Sequence, residues 1–412
     1  MGQFVHCQGK STYICSVFKD FFVFMLKRIF NKDHLGVTIL SLLIVWFFSV
    51  VTMNLTFFDP IKRAYDNFSL SDMYYQIIQE SSEEQESPII TIVDLTTLYD
   101  RGRIAQVIDD VNACEPSVVG IDIMFEGLKG DTIGSEMLVE AICQIEQPVI
   151  AYKLKNVNLE TGEFVSARHS FFAPIDGLQE GYTNVQHIDL GGIIRNMSTW
   201  HILNQDTVYS LSYHVAKAFS PDISKEHFPR RQLIDYTPTK FPVVPYDSIF
   251  EYKDKITNRI VLLGAMNDDA DMHYSPYGRT AGTNIQAYAV QTMLEHKNIL
   301  EVGFVWNILI SILVLVIVDI IQCEITHHSD NSRYAIVQFL FSSAIVKNII
   351  NFILIAFLVW VNFIVFIQCN VYFNPTIMLT GIAFLVEARL FYASGKATYE
   401  KIKQKKQTII KQ

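Results

Sequence analysis

Leu35–Phe57 reads LGVTILSLLIVWFFSVVTMNLTF, twenty-three residues without a charge. At 1.5 Å per residue this exceeds a hydrocarbon core of about 30 Å. A buried core helix rarely runs so long without a polar face. A cleaved signal peptide is shorter and ends in small residues. The stretch is therefore expected to stay as a membrane anchor, and it divides everything around it.

To its right, three more spans are expected near the C-terminus: residues 303–322, 349–368 and 371–392. Phe304–Gln322 is apolar except for Asn307 and Asp319, and Ile349–Ile367 carries no charge. Val371–Phe391 is interrupted by Asn374 and Pro375 near one end and by Glu387 and Arg389 near the other. Those last two charges are expected to snorkel to the interface or to pair with each other.

Orientation follows from the basic residues beside the spans. Lys27, Arg28 and Lys32 precede the first span, and Lys396, Lys401, Lys403, Lys405 and Lys406 follow the last. Both ends are thus expected in the cytoplasm, which requires an even number of spans. Four spans give a cytoplasmic segment 1–34, a first helix 35–57, an outer domain 58–302, a cytoplasmic loop 323–348, an outer turn at Cys369–Asn370 and a cytoplasmic tail 393–412. Charge agrees: residues 58–301 carry −16, against +3 on residues 1–34 and +5 on residues 393–412. So acidic a domain repels phosphates, which argues against nucleic acid as a partner. Upstream, Tyr13–Phe30 reads either as an interfacial amphipathic helix or as a product of an early start site, with Met25 opening a shorter basic lead.

Between the first and second spans the pattern alternates. Phe58–Gln79 is largely helical in pattern, continuing after Pro60, and SSEEQESP (81–88) is a polar linker. IITIVDL (89–95), SVVGIDIMF (117–125), PVIAYKL (148–154) and RIVLLGA (259–265) are short continuous apolar runs, the mark of parallel strands buried on both faces. Helical spacing appears in Arg103–Ala113, Gly134–Ile145, Tyr209–Phe219 and Thr283–Glu295. Gly181–Leu203 reads as two short strands around a Gly191–Gly192 turn. Strand and helix in alternation imply βαβ units with right-handed crossovers. The expected fold is an α/β extracytoplasmic domain, mostly parallel sheet with flanking helices, inserted between one transmembrane helix and a three-helix transmembrane bundle.

Candidate binding residues come from position in that sheet. Asp94 and Asp122 fall at the carboxyl ends of strands, the edge where open α/β sheets bind ligands. They can hold a cation, act as an acid–base pair or cap the following loops. NDDADMHYSP (267–276) follows a buried strand and gathers three aspartates, Asp271 among them, and His273; lacking the ligand spacing and closing Glu of a calcium loop, it reads as a polar loop first and an ion site second. Arg195 is expected to pair with one of these acids. Cys114 and Cys143 could form one disulfide, but two buried free thiols is the blander reading. There is no GxSxG, P-loop, HExxH or GxGxxG signature, so no catalytic residue, metal or cofactor is assigned.

In order along the chain, these segments resemble the second type of extracellular sensory domain associated with cyclases and histidine kinases in bacteria. IITIVD (89–94) is similar to that family's opening strand ending in Asp. Arg103–Phe125 is similar to its helix followed by a G-[IF]-D-x-x-F strand, here GIDIMF (120–125). GYTNVQHIDLGGIIRNM (181–197) is similar to its G-[FY]-x-N…D-x-[DG]-G-x-x-R block. RIVLLGAMNDDADMHYSPYGRTAGTNIQAYAVQTML (259–294) is similar to its closing block. TTLYDRGR (96–103) departs from the Trp-Pro-Arg-like stretch usual at that point. Family members commonly continue into a kinase, cyclase or phosphatase module, and here only some twenty residues follow the last span.

The resemblance implies a non-enzymatic sensor or sensory subunit of the bacterial inner membrane, its large domain in the periplasm. It would bind an unidentified extracytoplasmic ligand or partner and address a separate output protein. The alternative is a non-signalling structural or assembly subunit of a membrane complex. Beyond the surrounding lipids, a homo-oligomer is compatible with this layout. A transporter or channel would need more intramembrane polar residues than Asp319, Glu387 and Arg389.

Overall fold

The computed structural model describes residues 31–54, 69–81, 85–127, 132–173, 175–184, 192–297 and 299–411. The expectations for Tyr13–Phe30, for Met25, for 58–68 and for the turn before Gly192 lie outside these residues. The chain forms two compact units, one of residues 63–301 and one of residues 1–62 with 302–412. The second opens with α1 (Lys32–Asn54).

The first unit begins with α2 (Leu70–Ser81), β1 (Gln85–Glu86), β2 (Ile90–Asp94), α3 (Arg101–Asn112), β3 (Val118–Ile121) and α4 (Thr132–Cys143). Strands β4 (Pro148–Val157), β5 (Phe164–Arg168), β6 (Gln179–Tyr182), β7 (Asn196–Ser198), β8 (Trp200–Leu203) and β9 (Asp206–Tyr209) lead to α5 (Leu211–Phe219). It closes with β10 (Arg231–Leu233), β11 (Thr239–Lys240), β12 (Val243–Pro245), β13 (Ile260–Gly264), β14 (Met272–Ser275), β15 (Gly278–Ala281) and α6 (Gly282–Leu294).

Six strands pair in parallel in the order β12-β2-β13-β3-β4-β6. The interiors of β2, β3 and β13 are buried throughout, because helices cover both faces and no residue needs a polar side chain. On one face Val93, Ile121, Ile150 and Leu263 pack with Ile104 and Ile108 of α3 and Leu138 of α4. The next residue along β3 points the opposite way: a Cβ on Gly120 would lie 2.9 Å from Cγ2 of Val215 in α5. Glycine there lets α5 settle on the sheet. At Gly181 an added Cβ would come within 2.5 Å of the Leu211 backbone, so the start of α5 also rests on a bare strand. Two glycines of the motif blocks thus serve helix–sheet approach. Asp100 caps α3, accepting from the Arg103 amide at 2.8 Å, and Ser210 caps α5 through the Tyr213 amide at 3.2 Å.

The sheet is mixed, however. The far half of β4 turns antiparallel to β5, and β8 with β9 extends this ribbon. The strands expected within 181–203 do not pair with each other: β6 pairs with β4 and β7 pairs with β10. The 81–88 linker contains β1, paired with β11. Cys114 and Cys143 are both free thiols, and only Cys114 is buried.

In the second unit α1 is joined by α7 (Phe304–Asp330), α8 (Ala335–Ser342), α9 (Ala344–Cys369), α10 (Thr376–Ala383) and α11 (Leu385–Lys411). Among the described residues three helices are long and apolar enough to cross a membrane, and α10 with α11 makes a fourth if that pair, bent by 55°, is one span. Val37, Leu315, Met378, Ile382 and Leu385 form the core of this unit. Trp46, Phe47, Trp306, Phe352 and Trp360 are exposed, an arrangement suited to lipid. The 323–348 segment expected as a loop is mostly helix, through the end of α7 and α8. Asn370 ends α9 in the left-handed conformation, φ +52°, which asparagine tolerates.

Candidate functional site

The carboxyl edge of the parallel sheet places three strand ends side by side. Asp94 on β2 lies in register with Gly264 on β13, and Leu263 with Ile121 just before Asp122. Over this edge runs the start of α6. A Cβ at Gly264 would fall 2.0 Å from the Thr283 hydroxyl oxygen, so glycine is required for Thr283 to cross the strand end. Thr283 then donates to a carboxylate oxygen of Asp122 at 3.1 Å. Beside it, the Asp271 carboxylate packs on Gly282, where a Cβ would come within 2.7 Å. His273 Nε2 lies 3.7 Å from Asp271.

These neighbours set the acidity of Asp122. Burial, reinforced by the negative Asp271, pushes its carboxyl from the ordinary 3.8 up to about 7. The Thr283 bond, Lys153 and His273 pull the other way without prevailing. Asp122 therefore changes protonation near neutral pH, with Asp271 and His273 alongside.

The sign of the consequence is definite. From about pH 4 to about pH 7 the folded chain keeps a proton on Asp122 that the unfolded chain has lost. Its stability contribution is full at low pH and is lost as pH rises through that window. Asp122→Asn should remove this dependence and raise stability at pH 8 by about 2 kcal/mol, a figure reduced because the side chain is only half-buried. Melting of the full chain at pH 5 and pH 8 checks this; a variant weaker than the parent at pH 8 would contradict it.

The other two candidates have different partners. Asp94 caps its own loop: one carboxylate oxygen accepts from the Thr96 amide at 2.9 Å, the Thr96 hydroxyl at 2.5 Å and the Met266 amide at 3.2 Å. It ties the β2 loop to the β13 loop. Arg195 makes its ion pair with Asp72 of α2, not with the 268–271 acids as expected, through contacts of 2.9, 3.1 and 2.6 Å between buried side chains. Asp269 pairs with Arg279, and Asp268 caps Ala270. The structure thus brings together Asp122, Asp271 and His273, while Asp94 ties two loops and Arg195 pairs with Asp72.

Two features were missed by sequence reasoning. At the opposite edge of the sheet lies a cleft of about 460 Å³, lined by Ile78, Ser87, Ile90, Thr239, Gln291 and Lys297 among others. The second is in the membrane unit. Asp319 of α7 is fully buried and receives Arg389 of α11 on both oxygens, one at 2.6 Å. His34 of α1 stands 2.7 Å from the same carboxylate. Arg389 therefore pairs with Asp319, so of the two expectations for Glu387 and Arg389, snorkelling or mutual pairing, the pairing is not formed. Among the described residues, His34, Asp319 and Cys323 could together approach a metal ion, but the guanidinium already neutralises the carboxylate and would repel a cation.

The family model of the CHASE2 domain matches residues 37–321, from α1 into α7. This chain belongs to the CHASE2 family. CHASE2 is an extracellular sensory domain associated with cyclases and histidine kinases, as the four motif blocks indicated. Comparisons with curated proteins and with solved structures gave no match. In this CHASE2 chain the closing block supplies Gly264, Asp271, His273, Gly282 and Thr283 to one sheet edge, and the G-I-D strand supplies Asp122.

Proposed function

We propose that this chain is a non-enzymatic sensory subunit of a bacterial inner membrane. The CHASE2 domain would face the periplasm, and both termini would lie in the cytoplasm. A ligand or partner would engage the edge around Asp122, Asp271 and His273. The response would pass through the membrane unit to a separate output protein. The observation that carries this reading is the CHASE2 match itself, which spans the sensory domain together with parts of the helices flanking it. The ionisable Asp122 gives the edge a group whose charge a ligand can change.

Asp122→Asn fixes the uncharged form and so stands in for one signalling state. In full chain reconstituted in nanodiscs at pH 8, the thiol-labelling rate of Ala397→Cys on α11 should change at least threefold when Asp122→Asn is added to it. Equal rates with and without Asp122→Asn, both proteins being folded, favour a scaffold that does not signal.

A further inference from the structure

We infer that α11 beyond Lys396 is a docking surface for an amphipathic helix with acidic flanks, belonging to the output partner. This rests on the sensory-subunit reading above and adds where its output is read. Within the membrane unit α11 packs antiparallel to α1. Lys396 pairs with Asp33 at 2.7 Å, the Tyr392 ring lies against Gly36, and Phe384, just before α11, stacks on Phe48. Leu385 and Ala388 are fully buried and Tyr392 is half-buried. The same line of residues, at steps of three and four, continues as Gly395, Tyr399, Ile402 and Lys406. That is the spacing of a helix–helix seam. Past the start of α1 the seam has no neighbour among the described residues: Tyr399 is 64 % exposed and Ile402 52 % exposed, and nothing lies within 4 Å of a Cβ placed on Gly395. An interface established inside the unit therefore runs on, in register, past its last neighbour among the described residues.

Charge selects the occupant. Lys396, Lys403 and Lys405 border the seam and Lys406 stands in it, while Glu400 is the one acid between Lys396 and Lys411. A second copy would set lysines against lysines, which disfavours pairing. Anionic lipid would satisfy the charge, but α11 is one unbroken helix to Lys411. Residues 397–411 carry it about 22 Å beyond the start of α1, whereas a headgroup layer is about 5–8 Å deep. A helix of that length gives a partner helix about four turns to pack along. A partner helix with apolar seam residues flanked by Glu or Asp answers both the shape and the charge.

The probe is a labelled synthetic four-heptad helix with Ile and Leu in its seam and Glu at the flanking positions. Its isomer with Lys at those positions is the control. Added to full chain in zwitterionic nanodiscs, the acidic peptide should bind at least tenfold more tightly than the basic one. Ile402→Glu should weaken it at least tenfold, and Lys403→Glu with Lys405→Glu should reverse the preference. These side chains are exposed, so unchanged melting confirms that the variants fold. Equal binding of the two peptides, or full binding by Ile402→Glu, overturns the proposal. So does disulfide pairing of Ile402→Cys between copies, or protection of that thiol by anionic lipid alone. If the peptide binds as expected while Ala397→Cys ignores Asp122→Asn, the docking surface stands and the sensory reading falls; the converse separates them the other way.

Discussion

Arg389→Ala should destabilise the membrane unit by about 3–5 kcal/mol, because it leaves Asp319 buried and without its cation. Asp319 has no solvent exposure and takes two bonds from that guanidinium. His34 stands 2.7 Å from the same carboxylate. Replacing both partners, Asp319→Leu with Arg389→Met, should restore much of the stability, since a buried pair and an apolar pair of similar volume are often nearly equivalent. Unfolding of the full chain in detergent measures all of these. A single variant as stable as the parent would mean that the pair is exchanged for water or lipid headgroups.

In the sensory domain the corresponding variant is Arg195→Ala. The motif Arg holds Asp72 in a two-pronged pair with both side chains buried, and the orphaned carboxylate should again cost about 3–5 kcal/mol. Asp72 is in the first turn of α2, close to Tyr75, which packs on Tyr236. Loss of the pair should release α2 and expose 70–81 to protease before the sheet melts. Asp72→Leu with Arg195→Met should reseat it. If Arg195→Ala instead left stability intact but abolished the coupling between Asp122 and Ala397→Cys, Arg195 would belong to the signalling path and not to the fastening of α2.

The contrast between these two arginines and the strands shows where sequence reading succeeds. Ile90–Val93, apolar but for Thr91, and Ile260–Gly264 read as buried strands because each is covered on both faces, and that is a local property. Strand direction alone put Asp94 and Asp122 at the carboxyl edge, whereas Asp271 and His273 were read in a separate polar loop and their approach to Asp122 was not legible. Partner identity is not local. Asp72 and Arg195 are 123 residues apart, and Asp319 and Arg389 are 70 apart, so no spacing rule connects them. The assignment of Arg195 to the nearer acids failed for that reason, and Asp319 was not foreseen as the partner of Arg389. Asp94 and Asp122 look alike in sequence; only the neighbouring Thr96 and Met266 amides make one a cap, while burial beside Asp271 makes the other ionisable near neutrality. The antiparallel ribbon escaped notice because β4 keeps one strand pattern while changing partners half-way.

The claim on which the rest depends is that the CHASE2 domain and the C-terminal end of α11 lie on opposite sides of one membrane. Reporter fusions at Gln79, Ser329 and Gln412 of the membrane-inserted chain measure this directly. The account predicts outside, inside and inside, in keeping with −16 on residues 58–301 and +5 on residues 393–412. A cytoplasmic signal at Gln79 would contradict it.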